Sequence, residues 1–225
     1  MNDISPICIW IAELVPLFAT LISVVYGFIH FFKKGRPIFL QSITMAMLSY
    51  TLSSLYHMCL TLTSDNVVDG FTPAYLGRIG FFMFLITASY GQLDKIVDDG
   101  SRKMRPARCM ALIAPACAVI LYVINIATDS PVSTKISYTL AWIPALFSLY
   151  FNLKHAIIPD CDFGFIKAIR LYNVFALALV SAELICLTAW NYFSGIILAV
   201  MSVVFGILCI GTMIAAKKGV ERWTV

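Results

Sequence analysis

Residues 192–215 read YFSGIILAVMSVVFGILCIGTMIA, a run of 24 positions with no charged side chain, followed by Lys217 and Lys218. A helix needs about 20 apolar residues to cross the roughly 30 Å hydrocarbon core of a bilayer, so this run is long enough to span. It is continuous rather than alternating. A strand of a membrane barrel would show polar residues at every second position, and a bilayer requires backbone groups to be satisfied within the segment, so a helix is the reading.

Six more stretches repeat the pattern, at about 6–32, 38–62, 73–93, 108–127, 133–153 and 166–188. The whole chain of 225 residues is 60% hydrophobic and only 12% charged, with a mean hydropathy of +0.88, where soluble domains carry about 25% charged residues. Disorder and a nucleic-acid module are disfavoured by the 13% aromatic content and by a net charge of only +4. The expectation is an all-α polytopic membrane protein, a single bundle of seven transmembrane helices over residues 1–225. That leaves no length within the chain for a soluble catalytic domain.

Lysine and arginine near the ends of crossings are retained on the cytoplasmic side, and 14 of the 16 basic residues fall on one side of this arrangement. They are Lys33, Lys34 and Arg36; Lys95, Arg102, Lys103, Arg105 and Arg108; Lys154, Lys167 and Arg170; and Lys217, Lys218 and Arg222. Only Arg78 and Lys135 fall opposite. The N-terminus is thus expected outside, or in a lumen, and the C-terminus in the cytoplasm. The first stretch lacks a basic start and is too long for a signal peptide, so it is read as the first helix.

The seven cysteines are scattered singly with no C-x-x-C pair, which favours free thiols. Cys8, Cys59 and Cys186 share the outer end, where an oxidising compartment allows a pairing that spacing does not choose.

Ionisable groups inside spans cost about 2.5–3.5 kcal/mol on insertion scales and mark interior, functional positions. Here they are Glu13, His57, Arg78 and Glu183, all in the outward half, and together they outline a ligand-binding cluster. The second stretch adds Gln41, Ser49, Ser53 and His57 at multiples of four along one face. Ser53 and His57 stand one turn apart, close enough to meet or to share a partner. The opposing reading is structural: snorkelling for Arg78, hydrogen-bonded or protonated glutamates, and serines bonded to their own helix.

Ser53-Ser54-Leu55-Tyr56-His57-Met58-Cys59 resembles the S-x-x-x-H signature that closes the second helix of the CREST superfamily of seven-helix proteins, which includes alkaline ceramidases, progestin/adipoQ receptors, hemolysin-III-like proteins and the myomaker-like group. Leu76-Gly77-Arg78-Ile79-Gly80-Phe81-Phe82 through Ala88-Ser89-Tyr90 is similar to the start of that family's third helix. The resemblance implies a zinc ion held by the second-helix His and two His on the seventh helix, completed by the Ser and by an Asp near the third helix. Such a zinc would activate water against a lipid amide. This chain departs from the pattern. Its only histidines are His30, His57 and His155; Tyr192 and Ile196 stand at the seventh-helix positions, and Gly77 replaces the Asp, leaving Asp65 or Asp69 as substitutes. One histidine does not make a three-ligand zinc site.

Three functions follow as expectations. The first is a non-catalytic CREST-like protein that binds membrane lipids or a membrane-protein partner, with no nucleic acid and no cofactor. The second is a lipid amide hydrolase with Ser53 and His57 as catalytic residues and a weak metal site at His57 with Asp65 or Asp69. The third is a small-solute transporter or sensor with an outward pocket; the absence of a repeat between helices 1–3 and 5–7 counts against transport. A retinal protein is disfavoured because the last helix has no lysine before Lys217. The loop from Asp94 to Arg105 reads as solvated, with local ion pairs, the alternative being a dock for anionic headgroups.

Overall fold

A computed structural model describes residues 6–63, 71–94, 98, 100–127, 131–159, 165–192 and 195–223. The described residues are helical, without strands. In chain order they form α1 (Pro6–Phe31), α2 (Ile38–Thr63), α3 (Pro73–Ile86), α4 (Arg105–Ala111), α5 (Ile113–Ile126), α6 (Val132–Ile157), α7 (Phe165–Tyr192) and α8 (Gly195–Trp223). Between α3 and α4 lie a π-helical turn, Thr87–Asp94, and a short 3₁₀ turn, Arg102–Met104.

Six helical stretches are long and apolar enough to cross a membrane: Ile7–Phe31, Ile38–Thr63, Arg102–Ile126, Val132–Ile157, Lys167–Ala189 and Gly195–Arg222. The chain thus has the character of a multi-pass membrane protein. The stretch expected at 73–93 is α3 followed directly by the π turn. α1 and α2 match their expected boundaries to within one residue, whereas α6 and α7 run four residues past theirs and α8 reaches Trp223 rather than residue 215. Hydropathy marks where lipid ends, whereas i to i−4 hydrogen bonding continues beyond it.

Successive crossings alternate in direction. α1 packs on α2 and α8, α2 on α3, α3 on α6, α6 on α5 and α7, and α7 on α8. One end of the bundle, the N end, gathers the starts of α1, α3, α6 and α8; the other, the C end, gathers their finishes. The interior is a single core that includes Phe31, Phe81, Phe82, Trp142, Tyr172 and Phe205. Outward faces are equally apolar, with Ile7, Phe18, Ile120, Val132 and Ile207 more than half exposed, as lipid-facing helices require. Hydroxyls within the helices are satisfied locally. Thr20, Ser23, Thr44 and Thr51 donate to carbonyls one turn back.

Close approach of α3 to α2 depends on glycine. A Cβ placed on Gly77 would lie 2.6 Å from the Ser49 carbonyl oxygen and 2.7 Å from Ser53 Cβ, and one on Gly80 would lie 3.0 Å from Ser49 Oγ. The polar stripe on α2 is therefore, at Ser49 and Ser53, the seat of a neighbouring helix, as small residues commonly are in membranes.

Candidate functional site

The four ionisable residues singled out in the sequence do gather at the N end, as two pairs at two depths. The shallower pair joins α1 to α2: His57 Nδ1 lies 2.8 Å from Glu13 Oε1, with the Glu13 side chain 8% exposed and that of His57 33%. The deeper pair joins α3 to α7, with Arg78 Nε 3.3 Å from Glu183 Oε1 and the glutamate only 1% exposed. The two layers are linked along α2. Tyr50 and His57 are seven residues apart on the same helix face, about 10 Å along the axis at 1.5 Å per residue.

Tyr50 is the residue that sequence reasoning missed. Its hydroxyl donates to Glu183 Oε2 at 2.7 Å, and its ring packs on Phe205 and Phe81 at centroid distances of 4.7 and 5.2 Å. The signal was present, because Tyr50, Ser53 and His57 are spaced by three and four and so share a face. The Arg78 guanidinium also sits over the Tyr75 ring, 5.9 Å from its centroid. Glu183 Oε1 and Arg78 Nε are buried without a hydrogen-bond partner. The pair is thus joined by charge at its near atoms and hydrogen-bonded through Tyr50.

Ser53 and His57 turn to different partners. The Ser53 hydroxyl donates to the Ala74 carbonyl at 2.6 Å, pinning α2 to the first turn of α3, while His57 faces Glu13. A Ser53→Ala variant is expected to lose about 1 kcal/mol, read as a lower midpoint in a thermal melt in detergent.

The residues present do not fit a zinc ion of the expected kind. Among the described residues no three of His, Cys, Asp and Glu cluster. At 77 the contact with α2 leaves no room for any side chain. Ile196 is 70% exposed, on the outside of the bundle. Asp65 and Asp69 lie outside the described residues, as does the side chain of Tyr192. Cys8, Cys59 and Cys186 are free thiols.

Beside Glu13 and His57 a groove of about 140 Å³ runs between α1 and α2, lined by Ile9, Trp10, Glu13, Met58, Thr61 and Leu62. Trp10 and Leu62 on its rim are 46% and 62% exposed. An apolar channel with a buried carboxylate at its inner edge can hold an amphiphile by both of its parts.

The C end carries a second charged cluster, which ties down Asp94 and Asp98 of its loop while Gly100, Arg102, Lys103 and Arg105 are exposed. Lys154 Nζ, on a side chain only 4% exposed, bridges Asp94 and Asp98, at 3.1 Å from the latter. His155, fully buried, places Nε2 2.9 Å from Asp94 Oδ1. Arg108 holds Asp98 with two bonds, from Nε to Oδ2 at 2.8 Å and from Nη2 to Oδ1 at 2.6 Å. Arg108 and Lys154 beside Asp98 keep its carboxyl well below the usual carboxylate range. Below this cluster Ser89, in the π turn, donates to Asn152 at 3.2 Å, and Asn152 donates to the Ser148 carbonyl at 2.8 Å. Lys154 and His155 belong to the last turn of α6, and their partners are some 60 residues away in the chain, beyond the reach of local pattern.

No family model matches the chain, and neither a curated protein nor a solved structure matches it.

Proposed function

We propose that this chain is a seven-crossing membrane protein, N-terminus outside and C-terminus in the cytoplasm, related in plan to the CREST superfamily, that binds a membrane lipid without hydrolysing it. α3 and the π turn together supply the seventh crossing. The observation that carries the reading is the groove between α1 and α2. It opens among exposed apolar side chains, where lipid is the surrounding solvent, and it is lined by Glu13, which His57 faces. A short stretch of acyl chain packs on Trp10, Met58 and Leu62, and the polar head meets Glu13 and His57.

Two features weigh against hydrolysis. Ser53 is committed to the Ala74 carbonyl, and the position of the expected third-helix carboxylate is a glycine in helix contact.

The test is native mass spectrometry of the full chain released from mild detergent, beside Glu13→Gln and His57→Ala. The expected result is a retained lipid adduct in the wild type that falls about tenfold in either variant, the effect of removing one hydrogen bond to a charged group. Equal lipid occupancy in all three proteins would overturn the groove assignment, and release of free fatty acid from an amide lipid by the wild type would overturn the non-catalytic reading. Orientation is checked separately: a cysteine introduced at Lys34 is expected to resist membrane-impermeant maleimide in intact cells and to react once they are opened.

A further inference from the structure

The basic residues of the C end do not all serve the same purpose. Arg108 and Lys154 are spent on Asp98 and Asp94. A different set stands where α1, α2 and α8 converge: Lys33, Lys34 and Arg36 in the turn after α1, and Lys217, Lys218 and Arg222 in the last turns of α8.

Several observations bring the two segments that carry them to the same end of the same three helices. A Cβ on Gly27 would meet both Thr44 of α2 and Met213 of α8, so the three helices are in close contact one turn before α1 ends. Lys217 Nζ lies 5.6 Å from the centre of the Tyr26 ring of α1, and that ring stacks on His30 at 4.3 Å. The turn itself is tight. The Arg36 amide donates to the Lys33 carbonyl at 3.1 Å, and Gly35 takes φ +86°, a left-handed conformation that favours glycine. The helix therefore stops at once, and Lys33 and Lys34 are left exposed rather than laid along a neighbour.

Charge and surface then identify the partner. Among the described residues none of the six forms an ion pair with a carboxylate. Directly below, Phe28, Ile29, Phe32 and Ile214 are each about 40% or more exposed, and the rings of Phe28 and Phe32 pack on each other at 4.8 Å. A cationic rim set on an exposed apolar belt matches one chemical object in both of its parts. We propose that this patch is a seat for the headgroups of anionic phospholipids, with their acyl chains lying on the exposed apolar side chains beneath it. The inference rests on the membrane-spanning reading but not on the groove at the opposite end.

The probe is an equal mixture of phosphatidylglycerol and phosphatidylcholine added to the purified full chain in detergent, with bound lipid identified by native mass spectrometry. Phosphatidylglycerol is expected to be enriched about fivefold among bound lipids, the factor given by the attraction of a single basic residue to an anionic surface, and to lose that enrichment in 0.5 M salt. The variant Lys33→Gln/Lys34→Gln/Lys217→Gln/Lys218→Gln is expected to bind the two lipids equally while melting as the wild type does. Lys33→Gln/Lys34→Gln alone, confined to the exposed turn, is expected to lose part of the preference and serves if the fourfold variant fails to fold. Arg102→Gln/Lys103→Gln/Arg105→Gln, which removes the same kind of charge elsewhere on this end, is expected to keep the full preference. Enrichment that survives the Lys33 and Lys34 changes, or that falls equally in the Arg102 set, would overturn the assignment. Loss of the groove lipid in Glu13→Gln leaves the phosphatidylglycerol preference unchanged, so the two readings fail separately.

Discussion

Gly77→Leu is expected to prevent assembly of the bundle, with a cost of about 3 kcal/mol or more, at or beyond the upper end of what overpacking of a close-packed interior costs. The obstruction is backbone as well as side chain. The first added carbon already falls 2.6 Å from the Ser49 carbonyl oxygen and 3.1 Å from Ser53 Cα, neither of which can rotate away. Relief requires α3 to move off α2, and that movement breaks the Ser53 bond to the Ala74 carbonyl and shifts Arg78 away from Glu183, which α7 holds. Loss of the monodisperse peak on size-exclusion chromatography, with Gly77→Ala intermediate, is the measurement. A Gly77→Leu protein that elutes and melts like the wild type would show that α3 does not sit against α2 as described.

Lys154→Met is expected to cost nearly as much, by a different route. Removing one partner of a buried ion pair costs about 3–5 kcal/mol, because the opposite charge is left behind without compensation. Here two carboxylates depend on the same ammonium, although Arg108 still holds Asp98 and His155 still reaches Asp94. The lower part of that range is therefore expected, read as a fall in the thermal midpoint at pH 7. The pH dependence has a definite sign. The Asp98 carboxyl is held below its unfolded pKa, so its contribution is fully present above that value, about 4, and is lost as pH falls through the lower folded value. The difference between wild type and Asp98→Asn should accordingly be widest near neutral pH and close in strong acid. A constant difference from pH 7 to pH 3 would show that the carboxylate charge is not what stabilises the loop.

The spans were legible in the sequence because their cause is local: a helix in lipid must be apolar along about 20 residues, and that can be counted. The grouping of Glu13, His57, Arg78 and Glu183 at one end was legible for the same reason, since depth follows from position within a span. Their pairing was not. Whether Glu13 turns to His57 or to Arg78 depends on which helices are neighbours, and hydropathy does not carry neighbour identity. Ser53 shows the cost of reading a face without its partner. The stripe containing Ser49 and Ser53 is real, but a hydroxyl is also the smallest polar side chain, and at this position size governs because Gly77 and Gly80 press against it. The C-end cluster was not legible because the partners of Lys154 and His155 lie about 60 residues back in the chain, and a hydropathy pattern marks where a span ends without saying which loop meets it.

The stretch Arg102–Ile126 differs from its neighbours in one respect: only 17% of its most apolar window is buried, against 33–56% in the other five candidate spans. Ile113, Ile120 and Val123 are more than half exposed, and α5 packs mainly on α6 and α7. Few protein contacts hold its angle to the bilayer normal, so hydrocarbon thickness has more say in its tilt than in that of any other span. In a thinner membrane this is the helix that leans, pivoting on the Trp142 indole, which donates to its Ala118 carbonyl at 3.1 Å.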